Sequence, residues 1–386
     1  MTKPTDKLSP NYFATLSARV AALRAAGYDV IRLDIGSPDL PPAVHIVEAL
    51  TCSARDSTSH GYQPLSGSSE IRRAWAQLYQ NQHGVKLDPE DLLPLLGSKE
   101  GVFHLSLAIL NPKDVVLIPD PGYQTYAQGA RFAGAEPVSF PLLPENGFLP
   151  DLDAIPIETA RRARLMWLNY PNNPTAAVAD LEFFARAVEF ARSYGILLVH
   201  DAAYTQVTFD GWRAPSILEV PGAADVAVEL NTLSKSHNMA GWRLGIAAGN
   251  AEAITALLKL KTHADSGHFL PVQDGAVAAL TGDQGWLVTR NAVYQDRRDA
   301  AMTALRGMGL LPHSSKASLY IWCPIPAGWR SMDFALHILN TAHVSLTPGI
   351  IFGPRGEGYF RLSLVRPVDV IETAMNRISN RLKVLY

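Results

Sequence analysis

Short apolar stretches alternate with helical patterns through the middle of the chain. The stretches read VVLIPD (115–120), RLMWLNYP (164–171), ILLVHDAAY (196–204), VAVELNTLSK (226–235) and RLGIAAGN (243–250). Between the second and third stretches, DLEFFARAVEFARSYG places apolar residues three and four apart and ends at Gly195, a pattern typical of a helix with a glycine at its C-terminus. This alternation predicts an α/β fold with a mostly parallel sheet.

The pattern changes from about Ala292. A charged helical run is followed by the strand-like SLYIWCP, another helix and a Gly/Pro-rich segment that ends in YFRLSLV. We interpret residues 286–386 as part of a smaller α+β domain. Residues 1–45 carry one helix and LDIGSPDLPP, which is too little for a domain, so they are assigned to the small domain as an N-terminal arm. Residues 46–285 remain as the large domain.

Composition and charge exclude several classes of protein. The 386 residues are 47% hydrophobic and 18% charged, which is typical of a folded chain. Lys plus Arg (34) nearly balances Asp plus Glu (36), so neither nucleic acid nor a membrane is an expected partner. Cys52 and Cys323 form no disulfide framework, and MTKPTDKLSP lacks the apolar core of a signal peptide. We therefore expect a cytoplasmic protein.

Polar side chains follow three of the apolar stretches. Asp120 ends the first stretch, Asn172 and Asn173 follow the second, and Asp201 lies in the third. Ligands of open α/β sheets bind beyond the carboxyl ends of the strands, so these groups are expected to meet in one cleft. No strand is followed by G-x-G-x-x-G or by G-x-x-x-x-G-K-[ST], which argues against a nicotinamide oxidoreductase or a P-loop NTPase.

The segment NTLSKSHNMAGWR combines a lysine with groups suited to a phosphate. Lys235 follows an apolar stretch, and Arg243 lies eight residues further on. Lysine forms Schiff bases with carbonyls when its amine is deprotonated, while Thr232, Ser234 and Arg243 can bind a phosphate. The segment therefore suggests capture of a phosphorylated carbonyl cofactor. A solvated loop lysine is the alternative, and it is the commoner case for an isolated lysine.

Several motifs, taken in order, resemble those of a known family. YPNNPT, HDAAY, TLSK followed by AGWR, and YFRLSL are similar in order and spacing to the fold-type I pyridoxal-phosphate enzymes, specifically class I and II aminotransferases. GSKEG, DPGYQTY, ENGFLPDLDAIP and GEGYFR are similar to the bacterial branch of LL-diaminopimelate aminotransferases. The resemblance implies a fold-type I transferase with pyridoxal 5'-phosphate, which exchanges an amino group between an amino acid and 2-oxoglutarate on the route to lysine.

The resemblance assigns the reacting groups. Lys235 corresponds to the lysine that bonds to the cofactor and moves the substrate Cα proton, and Asp201 to the carboxylate that pairs with the pyridine nitrogen. Asn173 and Tyr204 correspond to the donors to the cofactor's 3′ oxygen. Considered alone, Asp201 also fits a helix cap, Asn173 a turn and Tyr204 the core.

The resemblance also implies binding residues. The cofactor-binding set adds a phosphate group of residues and a stacking aromatic: Ser98, Lys99, Thr232, Ser234, Arg243, Tyr123, and Tyr62 from a neighbouring subunit. The substrate-binding set comprises Arg361 for the α-carboxylate together with Tyr12, Gly36, Lys99, Tyr123 and Asn173. Considered without the resemblance, Ser98 and Lys99 also fit the capped start of a surface helix, Tyr123 a tyrosine of the core, and Gly36 a turn. A homodimer with shared active sites is implied, and no metal is expected.

The sequence departs from the family pattern at several positions. Ala176 stands where glycine is usual, His237 where tyrosine is commoner, and QPLSG after Tyr62 lacks the glutamate that some members offer to the distal ammonium. DSGHFLPVQ also lacks an asparagine that some members use. Glu100 could replace that glutamate, but the helix dipole alone explains an acid in a first turn.

Two other functions stay open. An aminotransferase of different specificity, or a β-eliminating lyase with the same cofactor, would share all the cofactor contacts. An amino-acid sensor built on the same domain would need an N-terminal helix-turn-helix domain, for which the first forty residues are too few.

Overall fold

The computed structural model describes residues 12–382. The α-helices are α1 (Tyr12–Ala25), α2 (Val44–Arg55), α3 (Ser69–His83), α4 (Ser98–Ile109), α5 (Thr125–Phe132), α6 (Ile157–Arg162), α7 (Leu181–Tyr194), α8 (Leu233–Ser236), α9 (Ala251–Ala264), α10 (Leu270–Thr281), α11 (Gly285–Gly307), α12 (Ser331–Ala342) and α13 (Val368–Leu382). Within 12–382, no helix has both the length and the apolar character needed to cross a bilayer.

The strands are β1 (Ile31–Arg32), β2 (Leu92–Leu95), β3 (Val115–Asp120), β4 (Glu136–Pro141), β5 (Ala163–Leu168), β6 (Leu197–Asp201), β7 (Ala227–Thr232), β8 (Gly245–Gly249), β9 (Tyr320–Pro324), β10 (Val344–Ser345), β11 (Thr347–Pro348) and β12 (Tyr359–Ser363). Short 3₁₀ helices cover Ser57–His60, Pro89–Asp91, Pro144–Asn146, Ile217–Glu219, Ala223–Asp225, Ala240–Trp242, Gly349–Phe352 and Pro354–Gly356.

A seven-stranded sheet forms the centre of the molecule, in the order β2-β8-β7-β6-β5-β3-β4. The pairings among β4, β3, β5, β6 and β7 are parallel, and β8 runs antiparallel to β7 and to β2. The five apolar stretches are all strands of this sheet, so the predicted α/β fold with a mostly parallel sheet is confirmed. Every residue of β7 is buried, as expected of a strand covered on both faces.

Two smaller sheets lie outside the central sheet. One has the antiparallel order β11-β12-β9, and the other pairs β1 in parallel with β10 through Ile31 and Val344. This pairing joins the N-terminal arm to the C-terminal region. The predicted boundary between 285 and 286 falls at the start of α11, and the division into domains stays a prediction.

Helix α7 shows how the local sequence fixes an element. The Asp180 side chain accepts a hydrogen bond from the Phe183 amide at 2.8 Å, which satisfies one free donor of the first turn. Phe183 and Phe184 lie on the buried face, and the helix ends at Gly195 in the left-handed region with φ 66°. The predicted helix and its glycine terminus are confirmed.

His237 is completely buried beside α8. Its ring nitrogens lie 2.9 Å from Ser236 Oγ and 3.2 Å from Gln284 Oε1, and its ring packs edge-on against Trp286. Burial is the main cause that lowers the pKa of His237 from 6.5 to about 4. The fold therefore favours the neutral ring at the position where the family pattern has tyrosine.

His237 is expected to make the protein sensitive to acid. Because its folded pKa lies below the unfolded one, its contribution to stability is complete above pH 6.5 and is lost as the pH falls towards 4. The loss is up to about 3 kcal/mol. We expect His237→Phe, which keeps a ring against Trp286, to show a shallower fall in unfolding free energy between pH 7 and pH 4.5. Urea titrations measure both slopes, and exposed His263→Gln is the control; equal slopes for wild type and His237→Phe would contradict the assignment.

Candidate active site

A cavity of about 620 Å³ lies at the carboxyl ends of β5, β6 and β7. Its wall includes twelve of the predicted site residues: Gly36, Ser98, Lys99, Tyr123, Asn173, Asp201, Tyr204, Thr232, Ser234, Lys235, Arg243 and Arg361. They come from segments far apart in the sequence, and the strand ends bring them together, as expected for an open α/β sheet.

Lys235 lies in the short helix α8, directly after β7. Its Nζ donates to the Gly36 carbonyl at 2.6 Å. Burial is the main cause that lowers the pKa of Lys235, and the nearby charges of Arg243 and Arg361 act in the same direction. The surroundings therefore favour the neutral amine, which is the nucleophilic form of lysine.

Asp201 is the last residue of β6, and only one of its two carboxylate oxygens is hydrogen-bonded within the described part of the chain. Oδ2 accepts from the Tyr126 hydroxyl at 2.8 Å, and Oδ1 is buried with no hydrogen-bond partner among residues 12–382. Burial raises the pKa of Asp201, and the Tyr126 bond and the positive charge of His200 oppose that shift. A buried acceptor without a donor is costly, so Oδ1 is suited to an N–H group of a ligand in the cavity.

The opposite end of the cavity is suited to a phosphate. Helix α4 begins at Ser98 after Gly97, which has φ 80°, and its first amides have no acceptor within the helix. Thr232 Oγ1 lies 3.0 Å from Ser234 Oγ, and Arg243 Nη1 lies 3.5 Å from the same Ser234 oxygen. Amides, hydroxyls and a guanidinium thus surround one position.

Gly245 makes this arrangement possible. A Cβ atom at Gly245 would lie 2.8 Å from the Ser98 nitrogen and 2.7 Å from the Asn231 oxygen, closer than side chains tolerate. Strand β8 can therefore pass directly against the start of α4 only with glycine here.

Arg361 is a buried cation on β12. Its Nη1 donates to Asn173 Oδ1 at 2.7 Å and its Nη2 to the Asp34 carbonyl at 3.0 Å, while Nε is buried without a partner. Arg361 forms no ion pair with any described residue, and its guanidinium lies 4.0 Å from the centre of the Tyr320 ring. A buried guanidinium without a carboxylate is costly, so the position is suited to a carboxylate ligand.

The sequence analysis missed several residues that complete the site. Tyr126 holds Asp201, and Asn169 Nδ2 donates to the Asp201 carbonyl at 2.7 Å. The Tyr320 hydroxyl lies 2.9 Å from that of Tyr204, and a Cβ at Gly36 would lie 2.2 Å from it, so this position requires glycine. Tyr126 and Asn169 lie within motifs already identified, whereas nothing in SLYIWCP distinguished Tyr320. Phe13, Arg32, Asp34 and Phe352 also line the cavity.

Four residues named in the sequence analysis lie outside this cavity. The expectation that Asp120 and Asn172 meet Asn173 and Asp201 in one cleft is wrong: Asp120 lines an adjoining groove, and Asn172 bonds within its own turn, to Asn169 and Thr175.

Tyr12 lines the same groove, which has a volume of about 650 Å³ and shares Lys99 and Tyr123 with the cavity. Burial raises the pKa of Tyr12. Tyr62 is 96% exposed and lines neither the cavity nor the groove.

Glu100 is directed into a separate cluster. Lys261, which is fully buried, donates to Glu100 at 2.9 Å and to Asp265 at 2.7 Å. Burial acts to raise the pKa of Glu100, but bonds to His104 and Lys261 outweigh it and hold that pKa at about 2. Glu100, His104 and Asp265 have ligand atoms within 4.8 Å of one another, but the Lys261 ammonium already binds both carboxylates.

Ala176 has φ 58°, in the left-handed region that favours glycine. This is the position where the family pattern has glycine. The side chain is buried, and the Ala176 amide donates to the Asn172 carbonyl at 3.0 Å. The turn thus forms with alanine, at a cost of roughly 1 kcal/mol.

Comparison with known proteins places this geometry in a family. The sequence profile of the family described as aminotransferase class I and II matches residues 28–378. LL-diaminopimelate aminotransferases from Desulforudis audaxviator and Moorella thermoacetica are 49% and 46% identical; the alignments cover 97% and 96% of this chain and 96% of each relative.

The fold is also similar to solved structures. The substrate-bound BacF structure from Bacillus subtilis superimposes with a TM-score of 0.96 at 37% identity, covering 99% of this chain and 98% of that chain. An aspartate aminotransferase single mutant from Thermus thermophilus gives a TM-score of 0.93 at 26% identity, covering 98% and 99%. The chain therefore belongs to the class I and II aminotransferase family, whose enzymes move an amino group between an amino acid and a 2-oxo acid.

Proposed function

We propose that the protein is a pyridoxal-phosphate-dependent aminotransferase that takes LL-diaminopimelate as amino donor and 2-oxoglutarate as acceptor. The main support for the cofactor is that one cavity holds both Lys235, whose pKa is lowered by burial, and a buried oxygen of Asp201 without a hydrogen-bond partner among residues 12–382. The names of the relatives support the donor.

The residues present fit this cofactor. Bound through its aldehyde, pyridoxal phosphate draws in the electron pair left when the substrate loses its Cα proton. Asp201 Oδ1 would accept from the protonated ring nitrogen, and the start of α4 with Ser234 and Arg243 would hold the phosphate. Tyr123 would stack on the ring, and Asn173 and Tyr204 would bind its 3′ oxygen.

The chain's own groups orient the substrate and move its proton. Arg361 binds the α-carboxylate in a bidentate fork, and its contact with Asn173 links that carboxylate to the cofactor-binding loop. Lys235 Nζ would move the proton from substrate Cα to C4′ of the cofactor, and in the opposite direction when the acceptor oxo acid becomes an amino acid.

We expect borohydride to attach the cofactor irreversibly to one peptide, the one that contains Lys235. Lys235→Ala should lose at least about 10³-fold in kcat, because neither covalent capture nor proton transfer remains. Mass spectrometry of the reduced protein and transaminase assays measure the two effects. Lys259→Ala, at an exposed position on α9, is the control. Labelling of another lysine would refute the assignment.

Selectivity for the amino donor must come from the wall beyond Arg361. Lys99 and Tyr12 line the groove that adjoins the cavity and can bind the polar distal end of LL-diaminopimelate. A site that pairs polar groups rejects substrates lacking them strongly, whereas an apolar pocket discriminates by only about 1–3 kcal/mol. The exposed apolar side chain of Phe269 would instead favour recognition of the substrate by apolar contacts.

The donor is tested by kcat/KM with 2-oxoglutarate across LL-diaminopimelate, alanine, aspartate, methionine and an aromatic amino acid. We expect LL-diaminopimelate to be preferred, and Lys99→Gln to lower that preference over alanine about ten- to hundredfold, as for a charge-assisted hydrogen bond. Alanine serves as the internal control because it lacks a distal group. Preference for another amino acid indicates a general aminotransferase, and release of ammonia with a 2-oxo acid indicates a lyase.

We also propose a homodimer whose active sites include Tyr62 of the neighbouring copy, in the cytoplasm. Tyr62 is 96% exposed, and two residues before it the ring of His60 lies 5.5 Å from the ring of Phe269, which is also exposed. Exposed aromatic side chains clustered in this way support an interface, and two-fold dimers are the commonest oligomers.

Light scattering should give twice the 42.0 kDa chain mass. Tyr62→Phe should keep the dimer but weaken cofactor binding about tenfold, because one hydroxyl donor to the phosphate is lost. Titration of the apoenzyme with pyridoxal phosphate measures that affinity, with Tyr28→Phe as the exposed control. A monomer that is fully active at assay dilution would exclude shared sites.

A further inference from the structure

His200 and Glu229 form a buried polar pair behind the active site. His200 precedes Asp201 on β6, and because side chains alternate along a strand, it points to the opposite face of the sheet. Its Nδ1 lies 2.9 Å from Glu229 Oε2, and its Nε2 lies 2.9 Å from the Tyr170 carbonyl oxygen. The exposed fraction of the two side chains is at most 1%, so water does not compete with these bonds.

The contacts of Glu229 fix the charge of the pair. The Ile217 amide can only donate, and it does so to Glu229 Oε2 at 3.0 Å; the hydroxyls of Tyr79 and Ser216 lie 2.8 to 3.0 Å from the carboxylate. Burial acts to raise the pKa of Glu229, but the bond and charge of His200 outweigh it and hold that pKa below its usual value.

The histidine ring therefore faces two acceptors. The Tyr170 carbonyl and the ionised Glu229 can both only accept, so His200 satisfies them together only with both ring nitrogens protonated. The pair is a buried imidazolium and carboxylate. Its positive member lies next in sequence to Asp201, whose negative charge it stabilises.

The pair connects the three segments that carry the site. Glu229 lies on β7 three residues before Thr232, Tyr170 lies three residues before Asn173, and His200 is adjacent to Asp201. His200 and Glu229 are direct partners in the parallel pairing of β6 and β7. A shift of the imidazole would thus change the relative positions of the groups that bind the cofactor ring and its phosphate.

We propose that the His200–Glu229 pair is a positioning unit that sets the placement of Asn173, Asp201 and Lys235 relative to one another and supports the charge of Asp201. It touches neither substrate nor cofactor, and it acts through the strand ends. This inference rests on the proposed function. A displacement of about 1 Å at a reacting group can lower a rate by two orders of magnitude, so a distant pair can control kcat.

The chain offers a control carboxylate. Glu90 accepts from Arg72 Nη1 at 3.1 Å and from Arg72 Nη2 at 3.0 Å, and neither residue lines the cavity. Glu219 is unsuitable, because it accepts from the Ser216 amide while the Ser216 hydroxyl also binds Glu229. Glu90→Gln and Glu229→Gln are the same chemical change made at two carboxylates, of which only Glu229 contacts His200.

The experiment compares the holoenzymes of wild type, His200→Gln, Glu229→Gln, the double variant and Glu90→Gln. The readouts are kcat, KM, the dissociation constant of pyridoxal phosphate, and the pH midpoint of the bound cofactor's visible absorbance. We expect each variant of the pair to lower kcat about tenfold or more with KM within about twofold, and to shift the absorbance midpoint. The double variant should be no slower than the slower single one, because both changes remove the same unit.

Glu90→Gln should match wild type in kcat and in the absorbance midpoint. If the variants of the pair also match it, or if the two single losses multiply in the double variant, the proposal is overturned. If the glutamine variants do not fold, Tyr79→Phe tests the proposal instead, because it removes one hydrogen-bond donor to Glu229 and keeps the His200–Glu229 pair. A two- to fivefold drop in kcat with a shifted midpoint supports the proposal, and unchanged values overturn it. A wild-type protein without cofactor or turnover would instead refute the proposed function.

Discussion

The hydrogen-bond ladder between β5, β6 and β7 holds the active site together. Leu168 pairs with His200, and Asp201 pairs with Leu230, so the three strands end at nearly the same level. The polar segments that follow them start from fixed positions only a strand spacing apart. The part of the site between Asn169 and Lys235, which spans more than sixty residues of sequence, is thus assembled by strand pairing and not by a single loop.

Burial, together with the choice of partners, distinguishes the cationic side chains of the cavity from other buried cationic side chains. Lys261 and Arg297 are as deeply buried as the site residues, but each forms ion pairs. Lys261 binds the carboxylates of Glu100 and Asp265, and Arg297 binds the carboxylate of Asp39. In the cavity, Lys235 donates to a carbonyl and Arg361 to an amide and a carbonyl, and neither forms an ion pair with a described residue. A buried guanidinium without a carboxylate is costly, so Arg361 is suited to an anionic ligand, whereas burial shifts Lys235 towards the neutral amine.

Proteins with different names share this backbone fold. BacF and the aspartate aminotransferase mutant superimpose on this chain with TM-scores above 0.9. Backbone similarity at this level covers the cofactor side of the cavity and leaves the substrate side to individual residues. In this chain, Tyr12, Lys99 and Tyr123 line the groove that we propose as the place of substrate selectivity.

The sequence by itself determined five strands of the central sheet, helix α7 and the order of the motifs, because these depend on local periodicity and residue type. It also placed Lys235, Asp201 and Arg361 correctly among the groups around one cavity. Only the tertiary structure gave the Tyr204–Tyr320 contact, which joins residues 116 positions apart, and the antiparallel direction of β8. The same holds for the contact of His200 with Glu229. A histidine in an apolar strand has no local signal for a partner on the next strand, because strand pairing, and not sequence distance, decides which buried side chains meet.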